Sequence, residues 1–233
     1  IPLFNEKGKK GGIKPIFGIE AYMEPIVDKG QEEPHHMVFL AKNKNGLKKL
    51  YALSSDSYQN TRGKYPVVRK ELLKEALPDL VVLSACVQGE LPHLVKNKDE
   101  NALKQFLSFF SGADFFVELV DIDTPEQDSL NKLLLDVSEK YNIPAVVTPD
   151  AHYFPEDKWW YPTLWASNKG QSIEEVESRY NISEQDWSLP DPEKVIEKWK
   201  SHPEVIKNTM RIADMVENIK VPFDTYQMPK LQS

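Results

Sequence analysis

One cysteine in 233 residues is too few for a disulfide framework and suits a reducing cytosol. No apolar run approaches the roughly 20 residues that a spanning helix needs, and no secretory leader stands at the start. Positive charge is also short. Lys and Arg number 29 against 36 Asp and Glu, for a net charge of −7. Bulk electrostatics therefore exclude a general nucleic-acid-binding surface, and any such contact has to be local. Internal repeats and low-complexity tracts are absent. So is an initiating Met: the chain leads with Ile1-Pro2-Leu3 and is expected to be a piece of something longer. The expectation is a cytoplasmic chain, and with 40% hydrophobic residues it has enough apolar side chains for a sizeable core.

Five apolar runs read as strands: Pro15 to Tyr22, His36 to Ala41, Leu80 to Ser84, Phe115 to Leu119 and Ala145 to Thr148. Helical spacing fills the gaps. Asn45 is expected to cap a helix carrying Leu47, Leu50, Tyr51 and Leu53. Asp99 opens another with Leu103, Phe106, Leu107 and Phe110, and Pro125-Glu126 a third with Leu130, Leu134 and Val137. Strands alternating with helices predict an α/β sheet or barrel of mostly parallel strands. Beyond His152 the strand pattern stops. Helix starts appear at Pro155, Asp191-Pro192 and Pro203, and Trp159, Trp160 and Trp165 read as core on the flank rather than as a base-stacking surface.

The tripeptide Asp150-Ala151-His152 follows the last strand. On extended backbone residues two apart share a face, which would pair a hard oxygen with a borderline nitrogen, a ready set of metal ligands. Taken alone, the triplet reads equally as a turn Asp beside a surface His. Other strand ends carry Glu20, Cys86, and Glu118 or Asp121, and one strand starts with His35-His36. The C-terminal rim is where parallel α/β folds build their sites. Glu20 stands in an otherwise apolar strand and needs a cation, donors or solvent. Alternation lets only one of His35 and His36 face Glu20, leaving the other to solvent. Cys86 reads equally as a small buried apolar residue. His93 and His202 fit no motif and are expected at the surface.

Five segments, in order, resemble the PHP (polymerase and histidinol phosphatase) domain of bacterial DNA polymerase III α subunits. They are Gly12 to Tyr22, His35 to Asn43 with Gly46 to Leu50, Leu83-Ser84-Ala85-Cys86-Val87-Gln88-Gly89-Glu90, Phe116 to Leu119 with Pro125 to Gln127, and Thr148 to Tyr153. Asn208-Thr209 to Asp214 is similar to the helix that leads on to the polymerase body. The resemblance implies an α/β fold: an incomplete, distorted seven-stranded PHP barrel with C-terminal helices. It divides the chain into a barrel (1–154), a helical completion and connection (155–220) and a linker (221–233).

It also implies metal ligands at Glu20, His36, Cys86, Asp150 and His152, with His36 rather than His35 aligned to the family ligand. The cofactor is then a divalent metal, Zn or Mn with Mg as a further candidate, at partial occupancy. The partners implied are the remainder of the α subunit, a proofreading exonuclease subunit, and DNA through the parent protein. No membrane is implied. The family's opening His-x-His and Thr-Asp-His-Gly motifs have no counterpart here. A 3′–5′ exonuclease or phosphoesterase activity is accordingly expected to be weak, and an open sheet edge is expected at the N-terminal side. Two alternatives stand beside this reading: a stand-alone histidinol-phosphatase-like phosphoesterase, and a purely structural interaction module.

Overall fold

The computed structural model describes residues 2–28, 30, 33–180 and 182–221; apart from Val221, the expected linker lies outside the described residues. Among these, the strands are β1 (Gly18–Met23), β2 (His35–Ala41), β3 (Thr61–Arg62), β4 (Tyr65–Val68), β5 (Leu80–Leu83), β6 (Asp114–Val120) and β7 (Ala145–Thr148). The helices are α1 (Pro2–Lys10), α2 (Lys44–Gln59), α3 (Lys70–Ala76), α4 (Glu90–Lys96), α5 (Glu100–Phe109), α6 (Pro125–Tyr141), α7 (Tyr161–Lys169), α8 (Ile173–Tyr180), α9 (Pro192–Lys198) and α10 (Pro203–Met215). No described helix is long and apolar enough to cross a membrane.

The strands form one sheet in the order β3-β4-β1-β2-β5-β6-β7, whose two end strands do not pair with each other. It is the α/β, unclosed barrel sheet that the sequence predicts. The strand directions correct the reading. β5, β6 and β7 run parallel, as do β1 and β4, but β1–β2, β2–β5 and β3–β4 are antiparallel. Among the described residues, no helix lies between β1 and β2, so the crossover that parallel pairing needs is missing there. The β3–β4 hairpin is too short, and too interrupted by Gly63 and Pro66, to show as a period-2 run.

Register sorts the side chains onto two faces. Met37, Phe39, Ala41, Leu80, Val82, Phe115, Val117, Leu119, Ala145 and Val147 lie on one. They join the main core with Leu50 and Leu53 of α2, Leu91 of α4, Phe106 of α5 and Leu134 of α6. The opposite face carries Val38, Leu40, Val81, Leu83, Phe116 and Val146, packed against Ile212 and Met215 of α10. Asn208 of α10 also donates to the Ala145 carbonyl at 2.7 Å, occupying a backbone group on the last strand.

The caps follow local chemistry. Asn43, not Asn45, caps α2: its side chain accepts from the Gly46 amide. Asp99 caps α5 and Thr124 caps α6, the latter with Pro125 in its first turn. Gly46 sits where α2 meets the start of β5. A Cβ there would lie 2.3 Å from the Asp79 carbonyl oxygen and 3.2 Å from the Ala41 Cα. Gly46→Ala is expected to cost about 1–3 kcal/mol by overpacking, read as a lower urea midpoint at unchanged slope.

Trp159 and Trp160 are 68% and 48% exposed, so they are not the core expected of them. Pro155 opens a short 3-10 turn that carries both rings at the surface. Tyr161, Ala166, Val176 and Ile182 form a small cluster of their own, with Trp165 and Trp187 against it. Trp199 and Val205 belong to the main core.

Candidate metal centre

β5, β6 and β7 are parallel, so their C-terminal ends share one rim. β2 runs against β5 and therefore begins at that rim, and β1 runs against β2 and ends there. The expected site residues come from these ends. Glu20 pairs with Val38, and Tyr22 with His36, so Glu20 and His36 are diagonal neighbours on the face opposite the main core. The loop after β5 brings Cys86 to the same place. It is pinned by a bridge between His36 and Gly89 and by the His36 amide donating to the Gln88 carbonyl at 3.1 Å.

The donor atoms of Glu20, His36 and Cys86 all lie within 4.8 Å of one another. His36 Nδ1 stands 2.8 Å from Glu20 Oε1 and 3.7 Å from Cys86 Sγ. Burial alone would depress the imidazole, but the hydrogen bonds to Cys86 and Glu20 outweigh it and hold its pKa up at about 9. A carboxylate and a thiol thus surround one ring nitrogen, an arrangement that favours positive charge. Oxygen, nitrogen and sulfur at this spacing make up a donor set that suits a borderline divalent ion.

Asp150 and His152 form a second pair, with Nε2 3.3 Å from Asp150 Oδ1. The reason differs from the one expected. β7 ends at Thr148, and Asp150 adopts a left-handed φ of 46°. The two side chains meet across a turn, not along extended backbone. Ala85, beside Cys86, is left-handed too, at φ 63°, so both candidate loops hold a backbone conformation that non-glycine residues rarely adopt. The His152 ring is held by its Nδ1 contact with the Tyr161 hydroxyl at 2.9 Å and by its edge against Trp187. Its pKa is raised, first by the hydrogen bond to Asp150, with Glu20 adding to the effect through space. A cavity of about 550 Å³ opens beside it, lined by Tyr153, Phe154, Trp160, Tyr161 and Leu164.

Among the described residues, no single group of mutually close donors unites all five expected positions; Glu20, His36 and Cys86 come together and Asp150 with His152 stand apart. His35 is half-buried with its ring centroid 5.5 Å from that of His93, so neither is the free surface residue expected. Asn97 Nδ2 is 2.9 Å from His93 Nε2, and His202 pairs with Glu204.

Two carboxyl groups behind the rim gain weight from the structure. Glu90, 3% exposed, accepts from the Ile26 and Val27 amides at 2.7 and 2.8 Å, tying the loop after β1 to α4. Glu118 lies on β6 and is 7% exposed; burial pushes its carboxyl up to about 7. The sequence signal for Glu118 is a lone acid inside the apolar run Phe115 to Val120.

The profile of the PHP domain matches residues 1–121. The chain is 31% identical to the DNA polymerase III subunit alpha of Borreliella burgdorferi, over 98% of its own length and 21% of that protein. Against the same subunit of Aquifex aeolicus the identity is 30%, over 95% of the chain and 21% of the relative. For Thermus aquaticus it is 29%, over 97% and 20%. The chain thus spans about a fifth of the length of these curated relatives. With just over half of its residues inside the family match, the chain belongs to the PHP domain family.

Proposed function

We propose that this chain serves as the PHP domain of a replicative DNA polymerase III α subunit in the cytoplasm, and that its rim holds divalent metal. The observation that carries the reading is the meeting of Glu20, His36 and Cys86 at the strand ends. These three would hold one ion, Zn or Mn by donor chemistry, with Mg less suited to sulfur. Asp150 and His152 would serve a second position. Residues 1–154 supply the sheet, and 155–220 carry it toward the remainder of the α subunit. A proofreading exonuclease subunit is a candidate partner, and DNA is reached through the parent protein.

A bound divalent ion supplies an acidified water and a counter-charge for phosphoryl oxygens. The chain's own residues do the rest. Glu20 and Cys86 fix the His36 ring from two sides. The Tyr161 hydroxyl and Trp187 set the His152 ring, and Asp150 lies against its Nε2. Three donors at one position and two at the other make a lopsided centre. Phosphodiester hydrolysis of the 3′–5′ exonuclease type is accordingly expected at background, because a two-metal clamp needs both positions filled.

The test is metal analysis with a 3′-labelled single-stranded DNA assay in Mn²⁺. Zn or Mn is expected at measurable but sub-stoichiometric levels, and His36→Ala is expected to remove most of it. No retained metal in the parent protein would leave the scaffold reading in its place. Robust cleavage that disappears in His152→Ala would show that five donors suffice for catalysis.

A further inference from the structure

Trp160 lies at the surface instead of in the core, and it forms part of the wall of the cavity beside His152. At about 550 Å³, that cavity falls within the range of about 300–1,000 Å³ typical of small-ligand sites. Its walls come from three segments. The loop after β7 supplies His152 and Tyr153, the turn that starts at Pro155 supplies Asp157 and Trp160, and α7 supplies Tyr161 and Leu164. Backbone bonds hold these walls in place. The His152 amide donates to the Trp187 carbonyl at 2.8 Å, and the Leu189 amide to the Tyr153 carbonyl at 2.9 Å, so the loop is laced to residues 187–189. The Trp160 ring is backed by Trp159, with centroids 4.3 Å apart and planes at 30°.

Three features select the occupant. Flat aromatic rings left open to solvent suit the face of another ring. Asp157, ionised, offers only acceptor oxygens; these suit an amino or amide N–H and repel a phosphate. His152 belongs both to this groove and to the candidate metal centre, so an occupant of the groove continues from whatever the rim holds. A phosphodiester meets all three conditions, since it carries a flat base with N–H groups beside its anionic phosphate. We propose that the groove is a nucleobase subsite, in which the terminal base of a single DNA strand stacks on Trp160 while its phosphate lies at the rim. The inference rests on the reading of the rim as a site for phosphodiesters.

The experiment measures binding of the 233-residue chain to 5′-labelled single-stranded DNA by fluorescence anisotropy, in Mn²⁺ and in chelator. Two strands are compared, one intact and one whose 3′-terminal nucleotide lacks its base. The intact strand is expected to bind about tenfold or more tightly. Trp160→Ala is expected to bind both strands alike, at the affinity of the unmutated chain for the abasic strand. Trp160→Phe, which keeps an aromatic face, is expected to restore the difference, and melting temperatures check that both variants fold. Equal affinity of the unmutated chain for the two strands in Mn²⁺, with binding lost in chelator, overturns the base subsite and leaves the rim standing. Discrimination that persists undiminished in chelator keeps the subsite and overturns the rim as its metal-dependent phosphate anchor. Binding of neither strand overturns both. Discrimination retained in full by Trp160→Ala overturns the proposal and leaves the groove to an apolar segment of a protein partner.

Discussion

Replacing Glu90 with alanine is expected to remove about 4 kcal/mol of stability and to loosen the rim with it. Glu90 stands at the start of α4 and reaches 64 residues back in sequence to the loop after β1. Its two oxygens take the amides of Ile26 and Val27, one each. All three residues are buried, so truncation leaves two amide donors without water or partner, at about 1–3 kcal/mol apiece. The lost side chain adds a void. Gln in its place keeps one acceptor and is expected to lose about half as much. The effect should spread to the metal centre, because the segment that begins at Cys86 and ends at Glu90 also clamps the start of β2 through Gln88 and Gly89. Urea unfolding gives the energies, and amide exchange at Ile26 and Val27 gives the site. A loss below about 1 kcal/mol for Glu90→Ala would show that the two amides find other partners.

The same segment illustrates what the sequence made legible. Leu83 to Glu90 stood out as a motif, and Cys86 within it was singled out as a donor. The reasons for Gly89 and Glu90 were not readable, because they depend on partners far away in the chain. A Cβ at Gly89 would fall 2.2 Å from the Ser84 carbonyl oxygen, and Glu90 acts on residues 63 and 64 positions earlier. Strands buried on both faces were plain as apolar runs, and β5 and β7 were placed to within a residue. Direction was not plain. β2 reads alike whether parallel or antiparallel, since its alternation records which faces are buried and not which way its neighbours run.

The candidate site follows that division. Glu20 and His36 were foreseen as sharing a face, and cross-strand register explains their 2.8 Å contact. Asp150 and His152 were foreseen as a pair for the wrong reason. Pro149 follows the last strand residue, and the left-handed Asp150 turns the chain. No periodicity argument applies to a turn. Glu118 was visible only as an acid in an apolar run, and its weight comes from what surrounds it: burial, the Thr148 hydroxyl and two like charges.

Of the tryptophans in the C-terminal third, Trp199 is expected to matter most: Trp199→Ala should cost about 3–5 kcal/mol. Its ring is 6% exposed and sits in the main core. Its indole Nε1 donates to Asp121 Oδ1 at 3.1 Å, and the neighbouring Lys198 reaches the same oxygen at 2.6 Å. The Asp121 side chain is itself only 7% exposed. One buried carboxyl group at the end of β6 thus fastens the end of α9 to the sheet, and α10 follows directly to cover the opposite face through Ile212. Removing the indole takes away both the packing and one of the donors to a buried acid. Trp199→Phe separates the two, keeping most of the apolar contact and losing the donor, for about 1 kcal/mol. Trp159, with 68% of its surface exposed, is the control: Trp159→Ala should stay within about 0.5 kcal/mol of the parent. Chemical unfolding ranks the three variants. Limited proteolysis of Trp199→Ala should show early cuts between α9 and α10, where anchoring has been lost. Equal costs for Trp159→Ala and Trp199→Ala would mean that the C-terminal helices are held from the exposed aromatic side instead.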